Sequence, residues 1–464
     1  MVLPTKLILS TIHLVLLGVL LLLAGTSSFQ CSSVDQATLL AIKKQWGNPW
    51  QLVSWDPVAN ADHCKWTGMV CGGGCSGAVT GISLPKLNLT GKVPESLCDL
   101  PSLSRLDLSY NNLTGGFPRG PLYNCSQLRF LDLSYNAFHG VLPHDISRLS
   151  PAMEHLNLST NYFSGTVPAA VAGLPALRSL ILDKNQFTGA YPAAEISKLA
   201  RLEKLTLAFN PFVPAPAPLE FSKLTNLSYL WMGDMNMTGE IPKAYSSLVN
   251  LQMMAICENN LTGEIPAWVW QHPKLKYVYL FTNGLTGKLP RKITAVNLIE
   301  LDVSDNQLTG EIPEEIVNLK NLSILFMYTN QLSGTIPASI AMLPNLRDIR
   351  LFENNLSGEL PATLWSLPKL IILDILNNGF TGALPTKIPE NIQWLDVGNN
   401  KFSGSLPTSA TGLLVFSAAN NLLSGELPAD MSKWATNLLV PYHDNNISQF
   451  VAEARYSQLV HDSV

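Results

Sequence analysis

One short frame recurs along most of the chain, and it constrains the fold more than any other feature. LDLSYNNLTG (106–115), LDLSYNAFHG (131–140) and LDVSDNQLTG (301–310) share leucines, an asparagine and a closing glycine at fixed positions. The glycine recurs from Gly91 to Gly425 at a mean interval of about 24 residues. A period of this length predicts stacked structural repeats, each in contact mainly with its neighbours.

Each position of the frame has a physical reason. Alternating leucines such as Leu106 and Leu108 predict a short strand that buries them and leaves Arg105, Asp107 and Ser109 facing solvent. One turn cannot bury its own apolar edge, so successive turns are expected to stack into a parallel sheet over a continuous core. The asparagine that follows each strand is expected to hydrogen-bond backbone groups of neighbouring turns.

Composition fits a large core and excludes several classes of protein. Of 464 residues, 47% are hydrophobic and 14% are charged, and the formal net charge is −4, which excludes a strongly basic nucleic-acid binder. The chain has no kinase, GxSxG or HExxH motif. Asp302 and Asp305 are expected on an open strand face, without the burial that a glycosidase acid needs. We therefore predict neither catalysis nor a cofactor.

Residues 1–28 resemble a secretory signal peptide. An uninterrupted apolar run, Leu14–Ala24, follows a start containing Lys6 and precedes small and polar residues. This run is shorter than the ~20 residues of a membrane span. We therefore expect export and cleavage; an uncleaved membrane anchor is the alternative.

Seven cysteines, of which four precede residue 80, suit an exported protein. No CxxC pair occurs and the histidines are scattered, so local disulfides are expected in place of a metal site. Cys98 and Cys125 lie at comparable points of adjacent turns, which suits a bridge between turns. Cys257 is expected at a solvent-facing strand position.

The frame, with TGEIP at 238–242, 262–266 and 309–313, resembles the plant-type extracellular leucine-rich repeat over about residues 35–450. The resemblance implies an α/β solenoid: a right-handed superhelix of about 15–16 turns with a parallel β-sheet on its concave face and an N-terminal helical cap. LVSWDP (52–57) and CKWTGMVC (64–71) resemble the cap of plant repeat receptors. That cap implies a Cys64–Cys71 disulfide, for which Cys75 is a competing partner, and a Trp66 side chain packed on the first turn.

We therefore expect four segments: a signal peptide at 1–28, a cap at 29–79, repeats at 80–428, and a degenerate last repeat with a C-terminal tail at 429–464. In the last segment, Val440, Tyr442, Asn445 and Ile447 occupy the slots of the frame. The final run, 450–464, is expected to form an amphipathic helix.

Ten N-x-S/T sequons suit a secreted glycoprotein, although the frame itself generates part of this number. One of them, Asn157, falls on the strand face and is set apart. The other nine are predicted glycosylation sites: Asn88, Asn112, Asn124, Asn226, Asn236, Asn260, Asn321, Asn355 and Asn446.

Aromatic residues occupy the outward positions of the middle strands. The same positions in the early turns carry small polar groups. Exposed rings at this density are costly unless they meet a partner, and rings beside an arginine are typical binding hot spots. The alternatives are lateral packing of the rings on one another and shielding by a glycan. The predicted ligand-binding residues form a ridge on which an extended peptide would lie: Trp231, Tyr277, Tyr279, Phe281, Phe326, Tyr328, Arg350 and Phe352.

The late repeats, including NIQWLDVGNNKFSGSLP (391–407), resemble those of HAESA-like receptor kinases, which sense secreted peptides. The resemblance implies a receptor ectodomain that ends before the membrane helix and the kinase. Many members hold the terminal carboxylate of the ligand with two arginines that flank a strand leucine. Here the matching residues are Asp348, Ile349 and Arg350, so only the second arginine is present.

These observations predict an extracellular protein that binds a secreted peptide or protein on its concave face, as the sensing part of a receptor kinase or a soluble variant of it. A co-receptor is a possible partner; nucleic acid and metal are not. We expect secretion to the apoplast, and a membrane location only for an uncleaved or full-length form. Two alternatives remain: a secreted inhibitor of microbial wall-degrading enzymes, and a truncated product without an independent role.

Overall fold

The computed structural model describes residues 34–72 and 77–426, together with Trp434 and the backbone of Asn446 and Ile447. The chain divides into two compact units, residues 1–236 and 237–464. Both units repeat one scheme: a short parallel strand, a bend held by an asparagine, a second short strand, and a single helical turn that leads back.

The first unit opens with a helix over residues 34–45 and a cluster of buried tryptophans. The rings of Trp55 and Trp66 stack with centroids 6.3 Å apart. Trp46 donates from Nε1 to the carbonyl of Lys92 at 3.0 Å, which joins the cap to the first turn. The buried Asp35 carboxylate accepts the backbone N–H of Val79 at 2.7 Å. Both the packed apolar rings and these hydrogen bonds therefore hold the cap against the repeats.

Eight strands form the main sheet of the first unit. The first pair is antiparallel and the later pairs are parallel. The strands are Met69–Gly72, Ala78–Ser83, Arg105–Asp107, Phe130–Asp132, His155–Asn157, Ser179–Ile181, Lys204–Thr206 and Tyr229–Trp231. On the second edge lie Thr90–Gly91, Asn112–Gly115, Ala137–Val141, Tyr162–Gly165, Gln186–Phe187 and Ala215–Pro216. The returning turns are the α-helical Arg119–Leu122 and Ala193–Ile196 and the 3₁₀ segments Trp50–Leu52, His63–Lys65, Glu95–Asp99, Ile146–Arg148, Ala169–Gly173 and Leu219–Lys223.

The second unit contains eight main strands, and its described pairs are parallel. The strands are Met253–Ala255, Tyr277–Tyr279, Glu300–Asp302, Ile324–Phe326, Asp348–Arg350, Ile372–Asp374, Trp394–Asp396 and Val415–Ser417. Its second edge holds Met237–Glu240, Asn260–Thr262, Thr309–Gly310, Gln331–Gly334, Asn355–Glu359, Gly379–Thr381, Ser403–Gly404, Leu422–Gly425 and Asn446–Ile447. The helical turns are the α-helical Ala267–Gln271 and the 3₁₀ segments Lys243–Ser247, Glu314–Asn318, Ala338–Met342 and Ala362–Ser366.

The core is built by the leucines of the frame. Leu106, Leu131 and Leu156 pair in register from strand to strand and are completely buried. The asparagine of each turn then hydrogen-bonds the backbone groups of the bend. Asn136 accepts the backbone N–H of Leu113 at 2.9 Å and donates to the carbonyl of Leu108, also at 2.9 Å. These bonds run to the preceding turn, so each asparagine ties two turns together.

The outward expectation fails at several residues: Asp302 and Asp348 are buried, and one position of the frame is buried more regularly. Ser109 and Cys257, both expected to face solvent, are buried. The chain has already begun its bend there, and Ser109 Oγ donates to Asp107 Oδ1 at 2.7 Å beneath the sheet edge. Small residues therefore fit this position and sink, whereas a large ring placed there stays partly outside.

The structure bonds Cys64 to Cys71 and Cys98 to Cys125, with Cα atoms 5.7 Å and 4.9 Å apart. His63 lies beside the first pair. Together, His63, Cys64 and Cys71 are the single cluster of metal-ligating side chains in the described ranges. His63 Nε2 hydrogen-bonds the carbonyl of Gly77 at 2.7 Å, and both neighbouring sulfur atoms are used in the disulfide. The cluster is therefore a structural staple of the cap.

Several predictions fall outside the described residues: the signal peptide, the alternative pairing of Cys75, and the helix at 450–464. Of the degenerate last repeat, the strand Asn446–Ile447 is described and pairs with Ser424 and Gly425. Across residues 34–72 and 77–426, no helix is long and apolar enough to cross a membrane.

Candidate ligand-binding site

The eight predicted ligand-binding residues lie in both units, and all are half-buried on the sheet face. Trp231 ends the last main strand of the first unit, where the Phe209 ring meets it edge-on with centroids 5.6 Å apart. The remaining seven belong to the second unit. None of the rings is turned into the core.

Four of the seven form one compact group, which we call the aromatic cluster: Phe326, Tyr328, Arg350 and Phe352. The rings of Tyr328 and Phe352 stack 4.3 Å apart at an interplanar angle of 9°. Phe326 lies 6.1 Å from Tyr328, and the guanidinium carbon of Arg350 lies 4.9 Å from the Phe326 centroid. The cluster spans two adjacent strands, in which Phe326 and Arg350 are register partners.

The rings of the aromatic cluster thus pack laterally and still leave part of their surface to solvent. Lateral packing had been the alternative to ligand binding, but the two are compatible here. Because neighbouring rings hold one another in place, little side-chain freedom remains to be lost when a partner covers them.

The Arg350 side chain is held against the sheet face by Asp348. Its Nε and Nη2 atoms donate to the two carboxylate oxygens of Asp348 at 3.1 Å and 3.2 Å. This bidentate pair, with Asp348 buried, occupies the fork that would otherwise face a ligand carboxylate. The arginine therefore serves as a fixed platform under Phe326.

The predicted ridge is interrupted by one polar strand, Glu300–Asp302, which lies between Tyr277–Tyr279 and Ile324–Phe326. Tyr279 donates from its hydroxyl to Glu300 at 2.5 Å, and burial together with this bond raises the pKa of Tyr279. Ser304 is fully buried in the slot that Phe281 and Tyr328 occupy in the neighbouring turns. A continuous ridge was therefore the wrong expectation: Tyr277, Tyr279 and Phe281 stand apart from the aromatic cluster.

Carboxyl groups border the aromatic cluster on both sides. On one side, burial raises the pKa of Asp302. On the other, Asp374 and Asp396 are register partners on successive strands. Burial, and next the charge of Asp396, raise the pKa of Asp374 to about 6. With Asp348 already paired to Arg350, this face has an excess of negative charge.

The sequence analysis missed Asp374 and Asp396. The signal was present: aspartate follows the first strand leucine in two successive repeats, Leu373-Asp374 and Leu395-Asp396. An outward slot in adjacent parallel strands always brings its side chains side by side.

Eight of the nine predicted glycosylation sites have exposed asparagines; the side chain of the ninth, Asn446, lies outside the described residues. Asn157 differs from them. It is half-buried, its Nδ2 donates to Asp132 at 2.9 Å, and its Oδ1 accepts from Ser159 Oγ at 2.8 Å.

Stacked turns of about 24 residues, an asparagine ladder and a tryptophan-rich cap define a leucine-rich-repeat solenoid. Sequence models agree: "Leucine rich repeat" matches residues 101–163, 297–319 and 391–413, and "Leucine rich repeat N-terminal domain" matches residues 32–72. The predicted fold class and the resemblance to plant receptor ectodomains are confirmed.

Solved structures of plant receptor ectodomains are similar along most of the chain. A TDR receptor is 34% identical with a TM-score of 0.74, over 80% of this chain and 64% of that one. The Arabidopsis receptor kinase HAESA, solved with the peptide hormone IDA and the co-receptor SERK1, is 27% identical with a TM-score of 0.63, over 90% of this chain and 86% of that one.

Curated relatives match over shorter segments. Polygalacturonase inhibitor 2 of Arabidopsis thaliana is 37% identical over 102 residues, which are 22% of this chain and 30% of the inhibitor. The aligned segments span 32% or less of the length of the curated relatives. These proteins are repeat receptors and inhibitors, and no catalytic-domain family is found in the chain.

Proposed function

We propose that this protein is an extracellular receptor-type repeat protein whose aromatic cluster binds a secreted peptide. The observation that carries the proposal is the cluster itself: three half-exposed rings over a fixed arginine on adjacent strands. Pre-ordered aromatic groups of this kind are typical hot spots of protein interfaces. HAESA, a similar ectodomain, was solved with a peptide hormone, which supports the same class of ligand.

The borders of the site define the ligand further. Asp302, Asp374 and Asp396 surround the cluster, and the charge of Arg350 is already neutralised by Asp348. A peptide with an apolar or aromatic side chain flanked by a basic residue complements this arrangement. Capture of a terminal carboxylate by Arg350 is disfavoured, because the incoming group would have to displace Asp348.

The test is a screen of the secreted protein against peptides extracted from plant extracellular fluid, with captured peptides identified by mass spectrometry. Wild type is compared with the double variant Phe326→Ala/Phe352→Ala. A matched control is Phe130→Ala in the first unit, where Arg105 covers the ring at 3.5 Å and His155 stacks on it at 4.2 Å. We expect peptides that the wild type and the control capture and the double variant loses. Equal capture by all three proteins would contradict the proposal.

A second candidate is inhibition of a microbial wall-degrading enzyme, favoured by the similarity to polygalacturonase inhibitor 2. Adding the secreted protein to fungal polygalacturonases separates the two functions. Inhibition that survives Phe326→Ala/Phe352→Ala would establish the second candidate in place of the first.

The proposed site of action is outside the cell, as for the receptors and inhibitors to which the chain is similar. The signal-like start and the exposed sequons support this location. We infer that a partner protein such as a co-receptor takes part in any signalling, because HAESA, a similar ectodomain, was solved with the co-receptor SERK1.

A further inference from the structure

A groove in the first unit plays no part in the proposed peptide site. It is an open groove of about 560 Å³ on the edge where the chain leaves the main strands. Its lining residues include Tyr110, Asn112, Tyr135, Ala137 and Tyr162. We call it the tyrosine groove.

The tyrosine groove has an exposed aromatic wall. The rings of Tyr110 and Tyr135 stack with centroids 4.0 Å apart and an angle of 9°. They remain 44% and 39% exposed, and Tyr162 is 55% exposed. Three large rings left open beside one another form the kind of surface that a partner usually covers.

The turn itself does not require these tyrosines. Tyr110 and Tyr135 have φ angles of +55° and +52°, in the left-handed region that bulky residues disfavour. The same position has a positive φ in other turns, where it holds Thr160, Lys184 or Glu353 as well as Asn377, Asn399 and Asn420; asparagine tolerates that conformation well. The frame therefore accepts many side chains at this slot, and the backbone does not impose the two tyrosines.

A modification site opens directly into the groove. Asn112 begins the sequon Asn112-Leu113-Thr114, is exposed, and lines the groove two residues after Tyr110. The same slot of the frame holds Ala137 in the next turn and Tyr162 in the one after, so a small residue forms the floor between them. Two turns measure ~10 Å along the stack. The groove thus runs from the amide of Asn112 to the ring of Tyr162.

The groove also contains a polar group without a partner. Thr160 lies in its wall, and its Oγ1 is buried with no hydrogen-bond partner among the described residues. Lys184, exposed at the same edge, adds hydrogen-bond donors. An occupant that combines C–H faces for the rings with hydroxyl or amide groups for these side chains matches the lining.

We propose that Asn112 carries an N-linked glycan whose first sugars lie in the tyrosine groove, against Tyr110 and Tyr135. The faces of a sugar ring carry C–H groups that suit the face of Tyr135 turned away from Tyr110. Tyr110 offers its ring edge, because Tyr135 stacks on the ring and Lys86 Nζ lies over it, 5.0 Å from the centroid. The glycan is tethered at one end of the groove, so it reaches the rings at high effective concentration. This role is independent of peptide binding by the second unit.

The test uses the full chain secreted from insect cells. Native protein is treated with an endoglycosidase, and the release of the Asn112 glycan is followed by mass spectrometry of its peptide. The internal control is the Asn226 glycan, because Asn226 is exposed outside the groove and its amide donates to the Ala200 carbonyl at 2.8 Å. We expect release at Asn112 to be about fivefold slower than at Asn226.

The variant Tyr135→Asn leaves the sequon and Tyr110 intact and supplies the residue that the turn prefers. It should fold, retain the Asn112 glycan, and bring its release to the rate at Asn226. An unoccupied Asn112, equal rates in the wild type, or a protected glycan in the variant would each overturn the proposal. Peptide capture by the aromatic cluster is expected to be unchanged, so failure here and failure of the proposed function give different results.

Discussion

At the scale of single residues, asparagine and aspartate have side chains of similar size but opposite effects on the stability of the fold. Asparagine in the ladder stabilises the structure because its amide has donors and an acceptor for backbone groups of two turns; Asn136 bonds four such groups. Asp374 on the sheet face is a cost, because its burial and the charge of Asp396 oppose its own charge. The sequence identifies the ladder asparagines by their spacing; it shows the state of an aspartate only once the adjacent strands are known.

Replacing Asn136 by alanine should lower stability by about 2 kcal/mol or more, since buried backbone groups of two turns lose their partners. These groups include the N–H of Leu113 and the carbonyls of Leu108 and Leu133. The thermal midpoint of unfolding measures the effect. Gln186→Ala, at an exposed position of the same unit, is the control; a midpoint that falls equally in both variants would show that the ladder bond contributes little.

Asp374→Asn should raise the thermal midpoint near neutral pH. In the folded chain the pKa of Asp374 is raised to about 6, so the ionised form is disfavoured by folding above that pH. Below the unfolded pKa both states are protonated and the cost disappears. The stabilisation, about 2 °C at about pH 7.5, is therefore expected to vanish towards pH 4. The exposed Asp305→Asn is the control, and a gain that persists at low pH would contradict the assignment.

At the scale of elements, the frame predicts the parallel strands, their register and the bends, because each of these depends on local spacing. It does not predict which outward side chains meet. Ser304 interrupts the expected ridge, whereas Tyr328 and Phe352 close into a stack from the same slot. Size decides the outcome: a serine sinks under the sheet edge and a ring does not. The sequence therefore does not predict that the rings stack on one side of the site and are interrupted by Ser304 on the other. The structure was needed to see this difference.

The disulfide between Cys98 and Cys125 joins the returning segments of two adjacent turns, at a sequence separation of 27. Closing a loop of this length in the unfolded chain contributes about 3.5 kcal/mol. The double variant Cys98→Ser/Cys125→Ser should therefore unfold at a lower temperature under oxidising conditions. Added reductant should lower the midpoint of the wild type more than that of the variant; equal responses would show that this bond contributes nothing.

At the scale of the whole molecule, two interaction surfaces of different chemistry are proposed on one repeated backbone. The second unit has rings bordered by carboxylates on its sheet face. The first unit has rings beside a sequon at the edge of its turns. The scaffold repeats almost unchanged, and both proposed surfaces lie at the few slots where the side chain departs from the frame. Sequence alone predicted the scaffold, the class of relatives and all four residues of the aromatic cluster, but not the acidic border or the tyrosine groove.

The central claim is that the aromatic cluster binds the ligand, and the dissociation constant of a captured peptide tests it most directly. Surface plasmon resonance would compare wild type, Phe326→Ala and the matched variant Phe130→Ala. The account predicts that Phe326→Ala raises Kd about tenfold or more, while Phe130→Ala leaves it within about twofold. An unchanged Kd for Phe326→Ala, or a loss confined to Phe130→Ala, would place the ligand elsewhere and contradict the account.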